Sequence, residues 1–227
     1  MKPRSAIVLW IGIGSSLVSG CSILRLPEPA STSPSIAAPI EVKTSPSLTA
    51  SSERPDTRVM PMAIEGQVVE MELKLFDQLP LPFTTYFPVR DFQSEVSNSE
   101  QGMVAQFTFS VKGQKNEAAY VQIFLPAQRT SIEEMQGLLL DERGLLATNH
   151  WQLIDRTEIV SYPWAREKLI YQQQSGQQTY VGSIYIGDYE GRSFYALTHY
   201  PVEYMDGFEP RSTVMLENLQ FRYESRS

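Results

Sequence analysis

The stretch Met103-Val104-Ala105-Gln106-Phe107-Thr108-Phe109-Ser110-Val111-Lys112 carries the reading of the fold class. Met103, Ala105, Phe107, Phe109 and Val111 fall on one side of a two-residue period and Gln106, Thr108, Ser110 and Lys112 on the other, the pattern of a half-buried strand. The turn-like Lys112-Gly113-Gln114-Lys115-Asn116 separates it from its expected partner, Ala119 to Leu125. Further strands are predicted from Gln152 to Val160, Lys168 to Gln174, Tyr180 to Ile186 and Ser193 to Tyr200. Ser175-Gly176 and Gly187-Asp188-Tyr189-Glu190-Gly191 are their expected hairpin loops.

Two segments read as helix. Ser131-Ile132-Glu133-Glu134 has capping-box spacing, and Met135, Leu138, Leu139 and Leu145 supply an apolar stripe behind it. A second helix is expected to start at Glu209-Pro210, where proline fits a first turn, and to run toward Asn218. Strands, a helix, a strand meander and a closing helix predict an α+β fold, an antiparallel sheet flanked by helices.

Outward from this region the chain changes character. Lys2 and Arg4 precede an apolar stretch, Ala6 to Ile13, that softens into Gly14-Ser15-Ser16, the layout of a secretory signal. The stretch is shorter than the ~20 apolar residues of a spanning helix. Its end, Leu17-Val18-Ser19-Gly20-Cys21, resembles the lipobox of bacterial prolipoproteins. The resemblance implies cleavage after residue 20, a diacylglyceryl thioether on Cys21 and a further acyl group such as palmitate on its amine. One buried chain anchors marginally and two or more anchor stably. The expected location is therefore a membrane, lipid-anchored, on its periplasmic, lumenal or extracellular side.

Residues 22–61 hold no aromatic residue and place prolines at 27, 29, 34, 39, 46, 55 and 61 among serines, threonines and alanines. Such a segment cannot bury enough apolar surface to offset ordering. Residues 21–61 are thus predicted to be a lipidated, disordered tether with a root-mean-square span of roughly 35 Å. Residues 62–227 are expected to fold as one domain. Of 19 Lys/Arg and 26 Asp/Glu, residues 1–61 hold six and four; thirteen and twenty-two remain, giving residues 62–227 a net charge of −9. An acidic domain makes a poor nucleic-acid partner and is repelled by an anionic bilayer.

Pro82-Phe83-Thr84-Thr85-Tyr86-Phe87-Pro88-Val89-Arg90-Asp91-Phe92, the helix after a two-strand start, and Gly207-Phe208-Glu209-Pro210-Arg211 are similar to the PsbP-like family. The resemblance spans residues 83–222. It implies an α/β/α sandwich and, as in some cyanobacterial members, a lipoprotein serving a photosynthetic or other envelope membrane complex. It implies no site residue.

Catalytic chemistry has few carriers. One cysteine and two histidines exclude four-ligand Cys/His zinc sites and any intrachain disulfide. No Gly-x-Ser-x-Gly elbow, phosphate loop or dinucleotide fingerprint occurs. His199 is expected to be a hydrogen-bonded strand residue beside Tyr195 and Leu197, and His150 a surface residue. Asp188 with Glu190, and Asp206 with Glu209, are the carboxylate pairs that an alternative reading, a cell-envelope glycan hydrolase or sugar-binding protein, would use. Seven of eleven tyrosines fall within 171–204. Tyr185, Tyr189 and Tyr195 are expected to form a contact surface around one hairpin, since tyrosine joins an apolar body to a polar tip. The sequence thus points to a non-enzymatic accessory module with no metal or cofactor, held at the membrane by the Cys21 lipid and meeting a protein partner there.

Overall fold

The computed structural model describes residues 54–222. Cys21, the signal segment 1–20 and the tether as far as residue 53 lie outside the described residues.

Alternation makes Phe107 and Phe109 face one way, and what they meet corrects the expected architecture. Phe107 packs against a second sheet, through Phe76 and Phe87, while Phe109 packs on Phe92 and on Phe208 of the C-terminal helix. Strands β1 (Thr57–Ile64), β2 (Gln67–Asp77), β3 (Phe83–Pro88) and β11 (Gln220–Phe221) form a four-stranded antiparallel sheet in that order. The larger sheet takes β4 (Phe92–Ser99), β5 (Gly102–Val111), β6 (Gln114–Pro126), β10 (Arg192–Pro201), β9 (Gln178–Tyr189), β8 (Ala165–Ser175) and β7 (Gln152–Thr157), again all antiparallel. The protein is therefore a mostly β, sandwich-like fold, not the helix-flanked α/β/α sandwich that the PsbP-like resemblance implied. The reason lies in residues 57–99. Met71, Leu73 and Leu75 alternate with Glu70, Glu72 and Lys74 in a strand, and Pro61 sits in an edge strand, a place that tolerates a missing amide. β1 also begins at Thr57, inside the stretch expected to be tether.

The inter-sheet core is aromatic. Phe76 lies 4.8 Å from Phe107 edge-on, and Phe87 lies 5.4 Å from Phe107. Phe83, Phe107, Phe194 and Phe208 are all essentially solvent-free. Edge-to-face and tilted pairs of this kind add about 1 kcal/mol each beyond area burial.

Helices cover part of each sheet. α1 (Ile132–Leu140) starts with the expected capping box: Ser131 Oγ accepts from Glu134 N at 3.2 Å, and Glu134 Oε2 accepts from Ser131 N at 2.7 Å. Met135 and Leu139 of α1, with Leu146 of α2 (Leu145–Thr148) and Trp151, bury Leu169, Tyr171, Ile184, Ile186 and Leu197 of the large sheet. α3 (Met205–Glu217) begins earlier than Glu209 and holds Pro210 inside it, preceded by a 3-10 turn at Val202–Tyr204. Phe208, Met215 and Leu216 of α3 join the inter-sheet core, whereas Val214 packs with Met62, Ile64, Met71, Leu73 and Tyr86 of the small sheet. Its last carbonyls are satisfied from outside, Met215 O by Thr85 Oγ1 at 2.5 Å and Leu216 O by Trp164 Nε1 at 3.1 Å.

Candidate functional site

Three tight hairpins set the surface features. Glu65-Gly66, Lys112-Gly113 and Glu190-Gly191 each occupy a two-residue turn with both φ values positive, the type I′ geometry that matches strand twist. The first two project toward α3. Between them lies a groove of about 1090 Å³, just above the usual range for small-molecule sites. Phe109, Val111 and Tyr204 give it apolar surface: Phe109 is buried, while Val111 and Tyr204 are 43% and 38% exposed. Phe109 and Tyr204 rings lie 6.1 Å apart.

Charges of both signs line this groove, with Glu117 on β6 beside the lysines and Arg211 on α3 beside the acids. The 3-10 turn, α3 and the Glu65 turn contribute Glu203, Asp206 and Glu65, and the β5–β6 hairpin contributes Lys112 and Lys115. Lys115 is held by Glu95 at 2.9 Å and Glu117 at 3.1 Å, and these hydrogen bonds, Glu95 first, raise its pKa. Arg211 is tied to Asp91 at 2.7 Å and to Gly207 O at 2.5 Å. A second depression of about 1020 Å³ follows α1 and the Asp141–Gly144 turn; its walls are mostly Glu133, Glu134, Asp141 and Glu142 with Arg129 and Arg143, and its one large apolar side chain is Leu138.

The tyrosine hairpin is a correction. Tyr185 pairs with Ala196 and Tyr195 with Ile186, so the two rings emerge on opposite faces of the sheet. The connecting loop is two residues, not five: β9 continues to Tyr189, which pairs with Arg192 instead of crowning a loop. Tyr195 is buried, accepts from Gln122 Nε2 at 3.0 Å, and has its pKa pushed up to about 12 by burial. Tyr185 packs on Tyr162 at 4.9 Å and Tyr189 stacks on Phe221 at 4.5 Å, both partly buried at the inter-sheet core. Tyr195 is a core ring, while Tyr185 and Tyr189 keep part of their surface exposed on the opposite face. Tyr204 is the tyrosine of the cluster that reaches the groove.

His199 is a core residue. Its ring stacks between Trp151 and Tyr180, each 5.2 Å away, with Tyr120 at 5.3 Å. Tyr171 Oη donates to Thr198 O at 3.0 Å and lies 3.1 Å from His199 Nδ1, so Nδ1–H donates to the tyrosine oxygen. Burial lowers its pKa to about 4. His150 is exposed with φ +57°.

Asp206 and Glu209 line one shallow depression beside α3 together with Glu65, whereas Asp188 and Glu190 lie at another hairpin. Glu209 accepts a hydrogen bond from Tyr200, while Asp206 lines the groove. Glu190 sits at the hairpin tip with its carbonyl accepting from Arg129 at 2.6 Å, and Asp188 lies back within β9. Among the described residues no group of three or more His, Cys, Asp or Glu could hold a metal ion.

Fold and groove together define a two-sheet, mostly β module with one large cleft beside α3. No protein-family model matches the chain, and no curated protein matches it in sequence. Among solved structures it is similar to a crystal structure from Bacteroides thetaiotaomicron VPI-5482 at 1.50 Å resolution, with a TM-score of 0.40 and 12% sequence identity. The alignment covers 64% of this chain and 47% of that one, so the chain spans about half the length of the protein it matches.

Proposed function

We propose that this protein is a lipid-anchored envelope protein whose folded part is a binding module for a membrane-associated protein partner. The anchor reading is supported by the sequence: a basic start, an apolar stretch and a lipobox-like Leu17-Val18-Ser19-Gly20-Cys21, followed by a proline- and serine-rich spacer. No described helix is long and apolar enough to cross a membrane. One observation carries the binding reading, the groove between the β5–β6 hairpin and α3. Exposed Val111 and Tyr204 line it, and charged side chains of both signs surround them on both walls.

An extended polypeptide segment suits such a site. Its apolar side chains cover Val111 and Tyr204, and its own charges of both signs meet the two walls. Affinity concentrated in a few anchors predicts that single substitutions act strongly. Capture from detergent-solubilised membranes tests the reading with the wild-type chain, Tyr204→Ala and Val111→Asp. The same protein partner is expected with wild type and lost with both variants at unchanged melting temperature. Equal recovery by all three removes the groove from consideration.

A further inference from the structure

The large sheet has a second, uncovered surface. α1 reaches over β9 and β10, and Tyr120 and Phe124 of β6 pack against the edge of its cluster, while the same face stays exposed on β4 and partly exposed on β5 and β6. Three cross-strand rows are in register there: Ser97, Val104, Phe124, Tyr195; then Glu95, Gln106, Gln122, Leu197; then Gln93, Thr108, Tyr120, His199. Gln93 is exposed, and Gln106, Tyr120, Gln122 and Phe124 are partly exposed.

The chemistry of this face is uniform. Its amides are fixed by the sheet's own hydroxyls: Gln93 Nε2 donates to Ser110 Oγ at 2.9 Å, Gln106 Nε2 to Thr108 Oγ1 at 3.3 Å, and Gln122 Nε2 to Tyr195 Oη at 3.0 Å. A carboxamide has two N–H donors and an acceptor oxygen, so each retains hydrogen-bonding capacity at a half-wet position with its side chain already oriented. The rings of Tyr120 and Phe124 flank this amide row, Phe124 resting 5.1 Å from Tyr195. The one formal charge in the rows, Glu95, is at the edge and bound to Lys115.

We propose that the open face of β4–β6 binds a neutral oligosaccharide. Size separates this occupant from a protein. Three strands about 4.8 Å apart and three rows about 6.8 Å apart cover roughly 130 Å², against the ~800 Å² per partner of a stable protein interface. Charge separates it from a nucleic acid, because the rows offer no cation and residues 62–227 carry net −9, twenty-two acids against thirteen bases. A sugar ring presents hydroxyls at its rim and C–H groups on its faces, matching amides between aromatic rings. The amide row lies apart from the groove's anchors Val111 and Tyr204, the two surfaces meeting only at Lys115, and the inference does not rest on the groove's partner.

Isothermal titration of the full chain in dimethylamine-oxide micelles, which bring no sugar headgroup, tests the proposal with cellohexaose, chitohexaose and maltohexaose as probes. Saturable binding of at least one hexasaccharide is expected. Gln106→Ala and Phe124→Ala should each weaken it about tenfold, the loss of one anchor. Gln106 is partly exposed, so that variant keeps its melting temperature and carries the test if Phe124→Ala unfolds. Tyr204→Ala, in the groove, should leave sugar binding unchanged. No saturable binding by any of the three probes overturns the proposal. So does binding that survives Gln106→Ala or disappears with Tyr204→Ala.

Discussion

Acid should weaken this protein through His199. The imidazole is 6% exposed and enclosed by Trp151, Tyr171, Tyr180 and Tyr120. Burial lowers its pKa from 6.5 to about 4. A folded pKa below the unfolded one means that the unfolded chain takes up the proton first. The contribution is intact above the unfolded pKa and is lost as the pH falls through the interval toward the folded value. A difference of about 2.5 units corresponds to roughly 3 kcal/mol of stability by proton linkage, a large share of the 5–15 kcal/mol typical of a domain. Urea unfolding of wild type and of His199→Phe at pH 7, 6, 5 and 4 isolates this group. Phenylalanine keeps a stacked ring but does not titrate, and its cost, the unmet Tyr171 oxygen, is nearly independent of pH in this range. Wild type should lose roughly 3 kcal/mol more than the variant between pH 7 and pH 4. Parallel pH profiles for the two proteins would refute the assignment of His199 as a buried, neutral core residue.

Three further outcomes follow from the packing and the sequence. Phe107 is solvent-free between the sheets and touches Phe76 and Phe87; Phe107→Ala should cost about 3–5 kcal/mol in chemical denaturation. A Cβ at Gly182 would meet Thr198 O at 2.0 Å and Tyr171 Oη at 2.5 Å, so Gly182→Ala should destabilise by about 3 kcal/mol through overpacking and the displaced Tyr171 hydroxyl. Its melting curve should drop without loss of secondary structure content at low temperature. Cys21→Ala should leave an unprocessed, unlipidated precursor by mass spectrometry; a normally processed, membrane-released product would contradict the anchor.

The legible part of the fold is the part whose patterns are local. The Phe107 strand, the β8–β9–β10 meander and the Ser131 capping box show in the sequence because a period of two and a fixed spacing of three need no tertiary information. The small sheet does not show as readily. Val68 is 75% exposed at one end of β2, and Pro61 interrupts the edge strand, so neither segment looks like a buried core element. β4 is nearly all polar, from Gln93 to Ser99. Without those strands in the pattern, Phe107 has no visible partner except a helix such as the one that does cover Phe109, and the sequence reads as α+β.

Register explains the tyrosines. Gly187 looks like a loop glycine, yet it lies in β9 beneath Phe194, whose ring a Cβ would meet at 2.4 Å. Moving the turn from 187–191 to Glu190-Gly191 reverses which residues share a face. His199 was legible because its strand neighbours Tyr195 and Leu197 are apolar. The groove was not, since Glu65, Val111 and Tyr204 meet only through tertiary packing, although Tyr204 stands in the tyrosine-rich stretch and Lys112-Gly113 marks the hairpin.

The binding role of the groove is most directly tested by site-specific photo-crosslinking in native membranes, with the reactive side chain placed at Tyr204 and, as a control, at exposed Gln172 on β8. The account predicts one discrete protein adduct from position 204, suppressed by Val111→Asp, and none from position 172. The same adducts from both positions, or no protein adduct from position 204, would contradict it.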